Sequence, residues 1–565
     1  MEEQPKANLH EFLNEVSSFS ADEAPAAAPA KAPAPTLSPI GQVVEIAGSG
    51  SQVRLDAAAV TALQTNKDPS IAMSGQVGSQ VKMVVGSSWL IANVRTLKSG
   101  DDGKLVAFVD FLGEGTKDSM GRMTNFRRGV TRYPIPGAEV LPVSTEDLRS
   151  VFAASDEPHI EIGTVYPTDD IRGALYVDPM LGKHFAVLGS TGTGKSTSVS
   201  LILHRISQLS PEGHIVMIDP HGEYSAAFKG CGELFNVDNL QLPYWLMNFE
   251  EHCEVLLTTH DAERQRDGDI LAKCLLAART KGKDMSQYGK VTVDSPIPYL
   301  LSDLQGIIAN EMGKLDRAGD TLPFQRLKTK LEELRADPRY TFMFSGMLVS
   351  DSMGSFLARL FRLPSQGRPI SIVDVSGVPS EITSVVVSVL ARMVFDYAIW
   401  SRTEAQRPLL LVCEEAHRYV PKDESSESGQ AVRKILERIA KEGRKYGVSL
   451  GLITQRPSDL AEGVLSQCGT IISMRLNNER DQACVRAAMP EGARGFLDAI
   501  PALRNRECIV SGEGVAIPIR VRFDDLEPEK RPASSDPSFA RLWRETGDEE
   551  GIIGRTIKRW RGHGR

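Results

Sequence analysis

Residues 184–200 read HFAVLGSTGTGKSTSVS. An apolar run over 184–188 enters a glycine-rich turn that ends in Lys195 and Ser196, and a helical pattern follows over 197–207. Strand, glycine loop and helix in that order give the motif G-x-x-x-x-G-K-[ST] its meaning. Glycines let successive backbone N–H groups face phosphate oxygens. The start of the helix adds partial positive charge. On this reading Gly189, Ser190, Thr191, Gly192, Thr193, Gly194, Lys195, Ser196 and Thr197 bind the nucleotide. Lys195 reaches the β- and γ-phosphates and the Ser196 hydroxyl ligates the metal, so ATP and Mg²⁺ are the expected cofactors. A chance match in a glycine-rich loop would not explain the flanking order.

Outward from the loop, strand-like runs fall at 184–188, 214–218, 369–375, 409–413, 449–454 and 470–475, with helical stretches between them. That alternation predicts an α/β fold with a parallel sheet covered on both faces. The run LLLVC (409–413) ends in Glu414 and Glu415. Phosphoryl transfer needs charge neutralisation and a positioned nucleophile, so Glu414 is assigned to the metal and Glu415 to the attacking water. Most such strands carry Asp first, and Glu414 is one methylene longer. The next strand ends in Gln455, either a γ-phosphate sensor or a turn cap. Between them, residues 432–445 form a basic helix with Arg433, Lys434, Arg438, Lys441, Arg444 and Lys445. Arg444, at the turn into the Gln455 strand, is the first candidate for an arginine acting on a neighbouring subunit's nucleotide. Arg438 is the second. A solvated face is the ordinary fate of such charges.

The flanks differ. Residues 37–147 show short β runs at 41–46, 51–55, 81–85, 90–94 and 105–111, which predict a small barrel or sandwich. Its basic edge, Arg122, Arg127, Arg128 and Arg132 with Phe126 and Tyr133, is either a contact surface or a solvated rim. Residues 244–362 are helical in pattern and interrupt the sheet. Residues 8–19 place Leu9, Phe12, Leu13 and Val16 on one helical face, and an Ala/Pro run over 24–35 reads as a semi-stiff linker. The last forty residues are polar, with five bases and no acid in 555–565.

Composition bounds the rest. The chain has 565 residues, 41% hydrophobic and 24% charged, with 65 Lys+Arg against 73 Asp+Glu, a net charge of -8. These values exclude a wholly disordered chain and a disulfide miniprotein. Residues 1–36 hold six acids and two lysines and so supply -4, half of the excess. The acidic average thus argues only against a basic coat for nucleic acid, not against a basic channel. Seven cysteines without metal-ligand spacing suit a reduced, cytoplasmic protein. The most apolar stretch, 384–400, contains Arg392 and Asp396 and reads as a buried helix rather than a membrane span.

The loop GSTGTGKST, the strand IDPHGEY (218–224), LLLVCEEAHRYVP (409–421) and EGRKYGVSLGLITQRPSDL (442–460) together resemble the HerA family within the HerA/FtsK group of ring ATPases. The resemblance covers roughly residues 37–523. It implies a RecA-like P-loop ATPase core at 151–243 and 363–523, a HAS-type β-barrel at 37–150, a helical insertion at 244–362 and a C-terminal brace at 524–565. It implies a homohexamer that hydrolyses ATP and translocates double-stranded DNA. The implied partner is a NurA-like nuclease or a defence effector, in DNA end processing or phage defence, with no membrane partner. The alternative is an ATP-switched ring that organises such an effector without translocation. Asp219, His221 and Glu223 match the family's DPHGEY motif, without a defined role. Residues 1–36 lie outside the family pattern.

Overall fold

The computed structural model describes residues 37–100, 104–314, 320–345, 350–423, 429–489, 494–533, 538–545, 547 and 549–562. The helix and linker expected within 1–36 lie outside the described residues.

Seven strands build the N-terminal sheet: β1 (Gly41–Ile46), β2 (Gly50–Leu55), β3 (Gln80–Val85), β4 (Ser88–Ser99), β5 (Leu105–Lys117), β6 (Met123–Arg128) and β7 (Glu139–Pro142). Their order is β2-β1-β7-β3-β4-β5-β6, and β2 also pairs with β5, from Gly50↔Asp110 to Leu55↔Leu105. Six strands therefore close into a barrel, which removes the exposed edges of an open sheet. Val53, Val81, Met83, Ala92 and Val109 fill its interior. β6 is an edge strand added to β5. Arg127 and Arg128 stand exposed on it, where charge deters pairing with another chain. Arg122 instead turns back onto Asp118, 3.0 Å away.

The second sheet holds β8 (His159–Val165), β9 (Arg172–Tyr176), β10 (Phe185–Leu188), β11 (Ile215–Asp219), β12 (Gly232–Phe235), β13 (Ile370–Asp374), β14 (Leu409–Cys413), β15 (Val448–Thr454), β16 (Thr470–Met474), β17 (Glu507–Gly512) and β18 (Ile519–Phe523). Their order is β12-β13-β11-β14-β15-β10-β16-β17-β18-β8-β9. The first seven run parallel. β17, β18, β8 and β9 extend the sheet antiparallel. Every residue of β10, β11, β14, β15 and β16 is buried, as expected of strands covered on both faces. Helices Phe249–Leu256, Asp261–Thr280, Leu301–Gly313 and Leu322–Ala336 are inserted between β12 and β13.

The helix Ser380–Trp400 is, among the described residues, the one long and apolar enough to cross a membrane, and most of it is buried inside the fold. Its Arg392 reaches Glu251 of the insertion at 2.8 Å. After β18 the chain returns over the helix Lys195–Leu209. There the Ser200 hydroxyl donates to the Lys530 carbonyl at 2.8 Å, and the Ala533 amide donates to the Glu223 carbonyl at 2.8 Å.

Candidate nucleotide site

The parallel strands bring their C-terminal ends to one edge, so Leu188, Asp219, Asp374, Cys413 and Thr454 stand in neighbouring registers. The loop after β10 leaves between β15 and β16, and β11 lies two strands further along, beyond β15 and β14. Such a crossover is where open α/β sheets bind ligands.

The phosphate loop is anchored by both neighbours. The Gly189 amide donates to the Thr454 carbonyl at 3.3 Å and the Ser190 amide to the Arg475 carbonyl at 2.9 Å. The Thr193 hydroxyl donates to the Ser190 carbonyl at 2.8 Å, and the Thr193 carbonyl accepts the Arg506 amide at 2.8 Å. Gly194 caps the helix Lys195–Leu209 at φ 92°, a conformation that favours glycine. That helix therefore opens with its free N–H groups at the loop.

Lys195 is 8% exposed and its Nζ lies 3.3 Å from Glu415 Oε1 and 3.6 Å from Glu414 Oε1. One lysine thus faces two buried carboxylates beneath the loop. Burial pushes the Glu414 carboxyl up to about 7, opposed by Lys195 and reinforced by Glu415. The Tyr224 hydroxyl donates to Glu414 Oε2 at 3.0 Å and also meets Ser196. Glu415 sits in the left-handed region, φ 52° and ψ 44°. Such a backbone at a non-glycine residue marks a position held by its surroundings. Its Oε2 is buried without a well-aligned hydrogen bond, although His417 Nδ1 is 3.1 Å away.

Asp219 and Asp374 close the far side. Asp219 accepts the amides of His221, Gly222 and Tyr224 at 3.1, 2.9 and 2.9 Å, fixing the turn that delivers Tyr224. Burial raises the Asp219 carboxyl above its ordinary range. Gly222 has φ 67°, and a Cβ there would lie 2.9 Å from Asp374 Oδ2, so the turn requires glycine. The Gln455 amide oxygen accepts the Thr191 hydroxyl, tying the end of β15 to the loop.

Lys195, Ser196, Glu414, Glu415 and Gln455 thus converge on one loop. Arg444 does not. It is exposed in the turn Gly443–Tyr446, which leads into the N-terminal end of β15, the length of that strand away from the loop. Arg438 is engaged by Phe395, 4.9 Å from the ring centroid, and by Glu442 at 3.5 Å. Tyr224, Asp374, Thr454 and His417 also stand in the site. Sequence reasoning assigned them no function: sheet order brings Tyr224, Asp374 and Thr454 here, and His417, two residues after Glu415, gave no signal of a role.

The oxygen-rich donor set suits a hard cation. Among the described residues no group of three or more His, Cys, Asp or Glu forms a metal cage. The residues that would hold Mg²⁺ beside the substrate's own phosphates are Ser196 and Glu414.

The model of the HerA helicase central domain matches residues 160–394. A DNA double-strand break repair helicase HerA from Pyrococcus furiosus is 26% identical over 520 residues, covering 85% of this chain and 89% of the relative. Through its central domain this chain is similar to the HerA helicases. A second HerA, also a DNA double-strand break repair helicase, from Sulfolobus acidocaldarius, is 24% identical over 431 residues, covering 76% of this chain and 80% of its own. Among solved structures, VirB4 of Thermoanaerobacter pseudethanolicus aligns over 67% of this chain and 99% of its own, with 15% identity and a TM-score of 0.47. The core described above is a P-loop ATPase.

Proposed function

We propose that this protein is a HerA-type, ATP-driven translocase of double-stranded DNA, working as a homohexamer with a partner nuclease or defence effector. The observation that carries the reading is the Lys195–Glu414–Glu415 cluster beneath the phosphate loop. The two named relatives, both DNA double-strand break repair helicases, supply the DNA. In this mechanism the loop amides and Lys195 hold the β- and γ-phosphates, and Ser196 and Glu414 hold Mg²⁺. The cation, when bound, neutralises phosphate charge. Glu415 uses its unoccupied Oε2 to orient the attacking water and accept its proton. Gln455 senses the γ-phosphate from the end of β15.

Arg444 acts on a neighbouring subunit's nucleotide. Its exposed position at the opposite sheet edge supports that role, since it cannot reach its own loop. The test compares ATP hydrolysis with and without linear double-stranded DNA. DNA should stimulate the wild type, and Lys195→Ala and Glu415→Gln should abolish turnover. Hydrolysis at full rate without DNA would overturn the translocase reading. Arg444→Ala should bind ATP without hydrolysing it, and mixing it with Glu415→Gln subunits should restore activity at hybrid interfaces. Mixed rings that stay inactive would refute the action in trans.

A further inference from the structure

His417 lies one turn beyond the two carboxylates, in the short helix Ala416–Arg418. Its Nδ1 stands 3.1 Å from Glu415 Oε2 and 3.0 Å from the Thr454 hydroxyl oxygen. The Thr454 hydroxyl oxygen also accepts the Arg456 amide at 3.0 Å, so the turn that follows β15 is built around it. The next residue, Gln455, accepts the Thr191 hydroxyl of the phosphate loop. Lys195 of the same loop reaches Glu415. The contacts form a closed circuit that runs from the loop through Glu415, His417, Thr454 and Gln455 back to the loop. The imidazole is its only member that touches both the water-orienting carboxylate and the sensing strand.

We propose that His417 is a positioning residue that fixes the Glu415 carboxylate and couples it, through Thr454, to Gln455. The proposal rests on the reading of Glu415 as the residue that orients water. The geometry explains why a link is needed here. Glu415 departs from β14 on a left-handed residue, and Lys195 holds only its Oε1. Its Oε2 has no aligned donor to set the carboxylate's rotation. A ring nitrogen 3.1 Å away limits that rotation and still leaves the oxygen able to accept a proton. Because the same nitrogen meets Thr454, a shift of β15's end is carried to the carboxylate.

The atom that matters is Nδ1, which separates positioning from space-filling. Asparagine places an amide atom near the position of Nδ1, whereas glutamine reaches toward Nε2. His417→Ala and His417→Gln should lower kcat by about 10–100-fold, the usual cost of removing an orienting partner. His417→Asn should recover most of it. The affinity for a fluorescent ATP analogue should change less than about threefold in all three, because none touches the phosphate cradle. Thr454→Val should lower kcat in the same direction, and His417→Ala/Thr454→Val should cost no more than His417→Ala alone, as expected of residues acting through one contact.

Full kcat in His417→Ala, equal rescue by Gln and Asn, or additive losses in the double variant would each overturn the proposal. Thermal melts verify folding, and Thr454→Val alone keeps the test open if the alanine variant does not fold. Glu415→Gln measured alongside keeps the two readings apart. Normal hydrolysis in Glu415→Gln would refute the assignment of Glu415 itself. An inactive Glu415→Gln beside a fully active His417→Ala would refute only the coupling.

Discussion

Two of the buried carboxylate clusters among the described residues are built to opposite plans. Glu251, wholly buried where the insertion meets the helix Ser380–Trp400, is fully satisfied. It accepts the Asn248 amide at 2.8 Å, the Ser388 hydroxyl at 2.8 Å and Arg392 through two nitrogens, the shorter contact at 2.8 Å. Glu414 and Glu415 share one lysine, one sits on a left-handed backbone and one oxygen has no aligned donor. A satisfied buried charge fixes a docking geometry. An under-satisfied one keeps bonding capacity in reserve for a ligand.

The largest effects should separate the clusters by kind. Glu415→Gln should lower kcat by about 10²–10⁴-fold, the span expected for loss of a general base, and leave the melting temperature nearly unchanged. Glu251→Ala should do the reverse. Removing one partner of a buried ion pair costs about 3–5 kcal/mol, read in urea unfolding. Folded Glu251→Ala should retain the wild-type KM for ATP. Equal effects of both variants on stability would erase the distinction.

Proton linkage gives the next effects, with opposite signs. Glu414 has its folded pKa raised by burial to about 7, so the folded state holds the proton more tightly than the unfolded chain. Its stabilising contribution is present below the ordinary value of 4.5 and is lost as pH rises to about 7. Glu414→Gln should therefore be more stable than wild type at pH 8, by roughly 2 kcal/mol, and the gain should shrink toward pH 5. His252, beside Glu251, is held neutral by burial with its pKa lowered to about 3. Its contribution is present above 6.5 and is lost as pH falls toward 3. His252→Gln keeps a polar atom toward Tyr299 and should flatten stability on the acid side only, as followed by melts between pH 4 and 7.

The smallest effect is Tyr224→Phe. Losing one hydrogen bond to Glu414 should cost about 1 kcal/mol, read as a few-fold fall in kcat.

What could be read from the sequence follows the same physics. β10, β11, β14, β15 and β16 are buried on both faces, so they stand out as unbroken apolar runs. β12 and β7 are four residues long, and β8 and β18 alternate polar with apolar residues, which left them unread. Barrel closure was not legible as against a sandwich, because it depends on pairing between β2 and β5, some fifty residues apart. In the site, the loop and the Glu414–Glu415 pair are local motifs. Tyr224 reaches Glu414, and Thr454 reaches His417, only because β11 and β15 flank β14. The one available signal for Tyr224 was its place in IDPHGEY, a turn beyond a strand-ending aspartate.

The path of the chain after β18 has a mechanical consequence. The segment 524–533 is stitched to the phosphate-loop helix at Ser200 and to the Asp219–Tyr224 turn at Glu223. Both stitches use main-chain groups of the segment, so they hold whatever side chains it carries. The segment clamps the phosphate-loop helix and the nucleotide turn together, so a shift of either is felt by the same ten residues.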